Sequence, residues 1–350
     1  MALSKILPAS QSQFAGARNL VINGAAICGQ RGASFTSSGV FPVDRFRMDK
    51  NGANITSTQN ALTSGEPYDE GFRFSVKMAT TSTDSNSANY YLLRHRIEAQ
   101  NLASCGWNYT SSSSYITLSS WIKSSIAGTY YILIRTKDGT GQSYVHEYTL
   151  AANTWKKISF SMQGNSNITF NMDNGEGLEI TFSPYLGTDF TSSSTTLNAW
   201  GAWNGSTGYG KDYAHDFGAT SGNTFEITGV QLEVGEATPF EHEDYTTTLT
   251  KCRRYFLRYY GNDSPNFPRW FNPAYANDCY MGGNFSFPVQ MRATPSVSAS
   301  VTYQNSDGLG TGDVSREGVN LYVLSTGAAT ISGAYITNNS SDHVTVDAEL

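Results

Sequence analysis

The chain has 350 residues, 23 Lys+Arg against 29 Asp+Glu, and a formal net charge of −6. Only 15% of its residues are charged, while 45 are aromatic (21 Tyr, 18 Phe, 6 Trp) and 33 are Gly. That mixture excludes a disordered chain, a helical bundle and a coiled coil, and the acidic balance gives no basic surface for nucleic acid.

Length sets an expectation of two domains, and the predicted elements are almost all strands. In chain order they fall at about 43–48, 72–78, 90–99, 115–123, 130–136, 144–150, 157–162 and 178–182. The alternation is clean at Phe72, Phe74, Val76 and Met78, with Arg73, Ser75 and Lys77 opposite. Leu178, Ile180 and Phe182 alternate with Glu179, Thr181 and Ser183 in the same way. Between them, Asp49-Lys50-Asn51-Gly52, Lys137-Asp138-Gly139 and Asp173-Asn174-Gly175 supply turn chemistry. At Phe225–Val234 the apolar positions switch parity, from Phe225 and Ile227 to Val230, Leu232 and Val234. A period-2 pattern can do this without exposing its core face only by inserting a residue, which predicts a β-bulge at Thr228-Gly229.

From Tyr245 the pattern becomes helical through Leu249, Cys252 and Phe256, so a short helix is expected at about 245–252. An aromatic strand follows near 253–260, then an irregular Pro-containing stretch. Strands resume at Ser296–Tyr303, Val319–Leu324, Thr330–Ile336 and Val344–Ala348. The expected domains are an arm at 1–17, a sandwich at 18–244 and a smaller β-sandwich at 245–350. No apolar run approaches the roughly 20 residues of a membrane span, and residues 1–16 lack the apolar core of a secretory signal.

The sequence offers little catalytic chemistry. The five histidines lie far apart, Cys28, Cys105, Cys252 and Cys279 form no CxxC, and neither a G-x-S-x-G elbow nor a phosphate loop is present. The carboxylates Glu241, Glu243 and Asp244 around His242 read as a solvated linker. The expectation is a non-enzyme. Ligand-binding candidates are instead aromatic loops: Trp200, Trp203, Tyr209 and Tyr213; Trp270 and Tyr275; and Trp107, with Trp121 beyond it. Aromatic faces give C–H-rich sugar rings a flat platform, and nearby Asn, Asp and Ser bond hydroxyls. Trp121 is out of phase with Ile116, Leu118 and Ile122, so it points away from the core and needs a partner, expected at a subunit interface.

Several stretches together resemble structural proteins of tailed bacteriophages. They are Asn19-Leu20-Val21-Ile22-Asn23-Gly24, Gln30-Arg31-Gly32 and Asp44-Arg45-Phe46; Leu118-Ser119-Ser120-Trp121-Ile122-Lys123; and Gly229-Val230-Gln231-Leu232-Glu233-Val234-Gly235 with Thr238-Pro239-Phe240-Glu241 and Cys252-Arg253-Arg254-Tyr255-Phe256. The resemblance implies an all-β fold, a jelly-roll sandwich like carbohydrate-binding modules followed by a smaller β-sandwich. It implies a virion protein, a tail fibre or tail-tip appendage contacting host-surface glycan or receptor. The alternative is a head fibre, decoration or connector protein with an architectural role. Related modules hold a structural calcium, for which Asn19, Asn23 and Glu233 are the oxygen donors implied here. The arm, with Leu3, Ile6, Leu7 and Phe14, is expected to dock on other virion proteins, and family habit gives a homotrimer. Neither nucleic acid nor membrane insertion is expected.

Overall fold

The computed structural model describes residues 18–205, 207–260, 280–301, 303–304, 308–324, 335–336 and 342–350. The docking-arm residues Leu3, Ile6, Leu7 and Phe14, and the loop residues Trp270 and Tyr275, lie outside the described residues. The chain divides into two compact units, Met1–Tyr245 and Thr246–Leu350.

The first unit is built from β1 (Ser34–Phe35), β2 (Val40–Val43), β3 (Phe46–Asn51), β4 (Ile55–Ala61), α1 (Glu66–Asp69), β5 (Phe74–Thr80), β6 (Tyr90–Glu98), α2 (Ala99–Ala103), β7 (Tyr115–Ser124), β8 (Gly128–Thr136), β9 (Gln142–Leu150), β10 (Lys156–Gln163), β11 (Glu176–Leu186), β12 (Trp200–Ala202) and β13 (Thr224–Val234). They form a six-stranded sheet, β1-β4-β5-β13-β7-β10, and a seven-stranded sheet, β12-β9-β8-β11-β6-β3-β2, with antiparallel pairing throughout. One core joins the two inner faces. Val76, Met78, Ile116, Leu118, Ile122, Ile227 and Leu232 of the first sheet meet Phe46, Met48, Leu93, Ile97, Ile132, Ile134, Ile180 and Phe182 of the second. This is the antiparallel two-sheet sandwich expected from alternation, of the jelly-roll kind that the resemblance implied.

The parity switch in β13 is a bulge. Thr228 pairs with Trp121 and Gln231 with Ser119, so the register slips between them, and Gly229 has φ +62°. The chain's first described segment closes against this bulge: Leu20 N–H donates to Leu232 O (2.9 Å) and Val230 N–H to Gly24 O (3.0 Å). A Cβ on Gly24 would stand 2.0 Å from Val230 O, so only glycine permits this approach. The motifs at residues 19–24, 229–235 and 238–241 thus meet in space. Asn19 Oδ1 accepts from the backbone of Val21 and Leu232, and Asn19 N–H donates to Glu241.

Trp121 does face away from the main core, but its partner is the chain itself. It is 7% exposed and packs with Leu62 and Phe72, beside Tyr68, Trp155 and Phe240. Its indole N–H donates to Glu70 at 3.0 Å. The expected subunit interface is replaced here by a second, outer cluster that α1 and the segment after β13 supply. Phe72 belongs to that cluster, off the inner face shared by Phe74, Val76 and Met78.

The second unit contains α3 (Tyr245–Arg253), which begins on the last residue of the first, then β14 (Phe256–Tyr260), β15 (Tyr280–Ser286), β16 (Ser296–Ser300), β17 (Tyr303–Gln304), β18 (Gly308–Gly312), β19 (Gly318–Leu324), β20 (Tyr335–Ile336) and β21 (His343–Asp347). Its sheets run β14-β21-β16, β15-β19-β18 and β17-β20. Leu257, Val344 and Val346 from one meet Phe285, Val319 and Leu321 from another in a small separate core, a second β-sandwich.

Candidate functional site

Strand alternation sorts the aromatic candidates. Trp200 pairs with Tyr144, whose ring lies in the core, while Gly201 pairs with Ser143 on the opposite face. Trp200 therefore turns inward, its ring 5.5 Å from Tyr144 and its N–H bonded to Gln163 O. Three residues on, Trp203 lies over the outer face of the seven-stranded sheet, where its ring covers the guanidinium of Arg135 at 4.4 Å. The sequence grouped these two tryptophans; the sheet separates them. Trp107 is corrected outright: it is 3% exposed and packs in the main core beside Tyr109 and Phe170, with no ligand-facing surface.

On that outer face Tyr131, Leu133 and Val145 form a satellite cluster roofed by Leu197, Trp203, Tyr209 and Tyr213. Tyr213 is a plug. Its hydroxyl donates to Ser183 O (3.1 Å), its ring meets Tyr131 edge-on at 5.2 Å, and burial pushes its hydroxyl pKa well above 10. Tyr209 is different: half-buried, it stands 5.0 Å from Trp203 and 6.3 Å from Phe190, which in turn meets Tyr90 at 5.4 Å. Arg135, Trp203, Tyr209, Phe190 and Tyr90 form one half-exposed row. Phe190 escaped the sequence reading because it stands alone among Thr, Asp and Ser, and Tyr90 because it was read only as the start of a strand.

Beside this row the outer face carries charge. Register places Arg94 opposite Arg47 and Thr181, and Glu179 opposite both Arg96 and Arg135. Arg96 Nε bonds Glu179 at 3.0 Å and lies 3.5 Å from Glu176, which also takes Lys137 at 3.3 Å. Asp49 holds Arg47 at 3.0 Å and Arg94 at 3.3 Å. Side-chain exposures of 3% for Glu179 and 15–16% for Arg96 and Arg94 show how far the network is sunk. Burial alone would raise the Glu179 pKa, but Arg94, Lys137 and Arg96 outweigh it and hold the carboxyl below its ordinary value. Four buried polar atoms on this face have no hydrogen-bond partner: Arg94 Nε, Arg135 Nε, Thr181 Oγ1 and Glu176 Oε1, the last held in ion pairs only.

The calcium implied at Asn19, Asn23 and Glu233 does not suit these side chains, which already serve the chain's own donors. Asn19 Oδ1 takes two backbone N–H groups and Asn23 Oδ1 takes Cys28 N–H. Glu233 accepts from Gln231, Thr238 N–H and Thr238 Oγ1, and Arg18 Nε lies 3.4 Å away. Acceptors spent on N–H groups, with an arginine supplying the positive charge, are the wrong donor set for a cation. Of the acidic segment around His242, Glu241 caps Asn19 N–H, and the imidazole packs on Phe72 and Phe240 with its Nε2 bonded to Glu70 O.

No protein-family model matches the chain, and no curated protein matches it. Solved structures do show likeness. The enzymatically active domain of tailspike protein 4 from bacteriophage CBA120 is 14% identical at a TM-score of 0.35, over 62% of this chain but only 22% of its own length. The N-terminal cellulose-binding domain of Cellulomonas fimi β-1,4-glucanase C is 8% identical at 0.32, over 61% of this chain and 95% of its own. A family 11 carbohydrate-binding module from Clostridium thermocellum is 15% identical at 0.28, over 60% and 98%.

Proposed function

We propose that this is a non-enzymatic virion protein of a tailed bacteriophage that attaches to host-surface glycan through the outer face of its seven-stranded sheet. One observation carries the attachment reading: the half-exposed row from Trp203 through Tyr209 and Phe190 to Tyr90 lies along a bed of hydrogen-bonding and charged groups. Apolar ring faces stack on the C–H faces of sugars while polar groups converge from one side to fix orientation. The virion reading rests on the order of the quoted motifs, of which those at residues 19–24 and 229–235 clasp one another.

Trp203 is placed for the largest contribution, because Arg135 holds one face of its ring and Tyr209 its edge, leaving little side-chain entropy to lose. Binding of purified full-length protein to an array of bacterial surface glycans tests the proposal. Retention at micromolar protein on a defined glycan set supports it; none on any glycan, with a cooperative unfolding transition intact, overturns it. Deletion of residues 1–17 tests the virion assignment separately: a folded protein that no longer joins particles is expected, and continued incorporation contradicts the docking arm.

A further inference from the structure

Four Asn-Gly pairs occur in the chain, at Asn23-Gly24, Asn51-Gly52, Asn174-Gly175 and Asn204-Gly205. Asparagine is one of the chemically labile side chains, and a following glycine, with no Cβ, leaves the next backbone nitrogen unshielded. That nitrogen can attack the side-chain carbonyl carbon. A C–N bond closes a cyclic succinimide, and the side-chain nitrogen departs as ammonia with the proton that the backbone amide gives up. Water then opens the ring at either carbonyl, leaving an ordinary aspartyl or an isoaspartyl link. In a folded chain the attack requires both residues to rotate past their neighbours.

The fold separates these pairs. Asn23 is buried, its amide held by Cys28 N–H, Cys28 O and Asp44 O, and a Cβ on Gly24 would collide with Val230 O. Asn51 pairs with Tyr90 in the ladder between β3 and β6, and its amide donates to Ala88 O at 2.9 Å. A Cβ on Gly52 would come within 2.6 Å of Asn89 Cγ. In the third pair the nucleophile itself is engaged, because Gly175 N–H donates to Asp173 Oδ1 at 2.9 Å. Asn204-Gly205 differs on each count. Both residues are exposed. Apart from its chain neighbours, a Cβ on Gly205 would meet nothing among the described residues nearer than Trp203 Nε1 at 3.8 Å. The Asn204 amide nitrogen, which is the leaving group, donates to the Thr207 hydroxyl at 3.2 Å, and Asn204 O accepts Gly208 N–H at 3.1 Å. The pair therefore lies in a surface turn, and exposed turns with few buried contacts open locally at little cost.

We propose that Asn204-Gly205 is a site of spontaneous deamidation in the folded protein, with water as its co-reactant, placing a new carboxylate next to Trp203. The isoaspartyl product also adds a backbone carbon between Trp203, whose N–H is tied to Gly141 O at 2.9 Å, and the turn closed by Gly208. Incubation of the full-length protein in mildly alkaline buffer, followed by peptide mapping with mass spectrometry and isoaspartate detection, tests this. The Asn204 peptide should convert first, while those of Asn23, Asn51 and Asn174 stay intact; in urea-unfolded protein all of them should convert together. Asn204→Gln should lose the early conversion and the acidic shift that accompanies it in isoelectric focusing, with its unfolding transition unchanged. Conversion of another Asn-Gly pair before Asn204 in folded protein overturns the proposal. So does an intact Asn204 in folded protein over the time in which the unfolded chain converts it, or an early acidic shift that persists in folded Asn204→Gln.

Discussion

Gly229→Ala is the perturbation whose cost follows most directly from the fold. Gly229 sits at φ +62°, where a Cβ costs an L-residue about 1–2 kcal/mol. That Cβ would also stand 2.7 Å from Phe72 Cζ and 3.2 Å from two other ring carbons, and Phe72 is wedged between Trp121 and Phe240. Overpacking of this kind adds about 1–3 kcal/mol. The sum, about 2–5 kcal/mol, lowers the melting temperature of a domain this size by roughly 4–20 °C. Five of the six tryptophans (Trp107, Trp121, Trp155, Trp200 and Trp203) lie in the first unit, so intrinsic fluorescence follows its unfolding. A double-mutant cycle with Phe72→Leu should return only the overpacking share, because the backbone strain remains. A loss under about 0.5 kcal/mol for Gly229→Ala, the range of an ordinary surface change, would refute a left-handed bulge buried under Phe72.

Three further outcomes are expected. Trp121→Ala should cost about 3–5 kcal/mol in urea unfolding, as for a buried tryptophan, while light scattering shows an unchanged oligomeric state; dissociation without destabilisation would restore the subunit-interface reading. Burial and the neighbouring Arg45 hold His95 neutral, its pKa well below 6.5, and its Nε2 bonds Ile22 O at 3.1 Å. The unfolded chain then binds the proton first, so stability is full above about pH 6.5 and falls below it by up to ~1.4 kcal/mol per pH unit. His95→Phe should flatten urea-unfolding stability between about pH 6.5 and 5, and an unaltered slope would contradict it. Glu179→Gln should destabilise by about 3 kcal/mol, the low end for breaking a buried pair, since Arg96 keeps Glu176 and Arg94 keeps Asp49. Because the Glu179 pKa is depressed, that contribution is present above the ordinary carboxylate range and lost as pH falls through the folded value, so the variant's deficit should shrink in acid; a constant deficit would contradict the assignment.

Strands with β-branched or aromatic residues on one face were legible from alternation, and the parity switch in β13 located a bulge to the residue. β4 was not legible. Its sequence, Ile-Thr-Ser-Thr-Gln-Asn-Ala, buries Ser57 and spends Gln59 on Ala26 O, so no apolar period marks it. Parity also turned Trp121 outward correctly, but its cover comes from Leu62, Phe72 and Phe240, distant segments that a local pattern cannot bring together. The candidate surface was half legible. Tyr209 and Trp203 stood out by clustering, yet clustering also joined Trp200, which the alternation of β12 puts on the other face. Glu179 and Thr181 were visible as outward positions, and Arg94 and Arg96 lay inside the strand expected at 90–99. Their convergence depends on the register of β6, β11 and β8, which is set by long-range pairing.

The most direct measurement of the central claim is adsorption of Trp203→Ala, with Tyr209→Ala beside it, to the glycans that retain the wild-type protein. Both rings are half-buried over Arg135 and Phe190. The account predicts that Trp203→Ala loses about 30-fold in affinity, the cost of a central tryptophan anchor, while unfolding of the sandwich core stays cooperative. Wild-type affinity in a folded Trp203→Ala protein would contradict it.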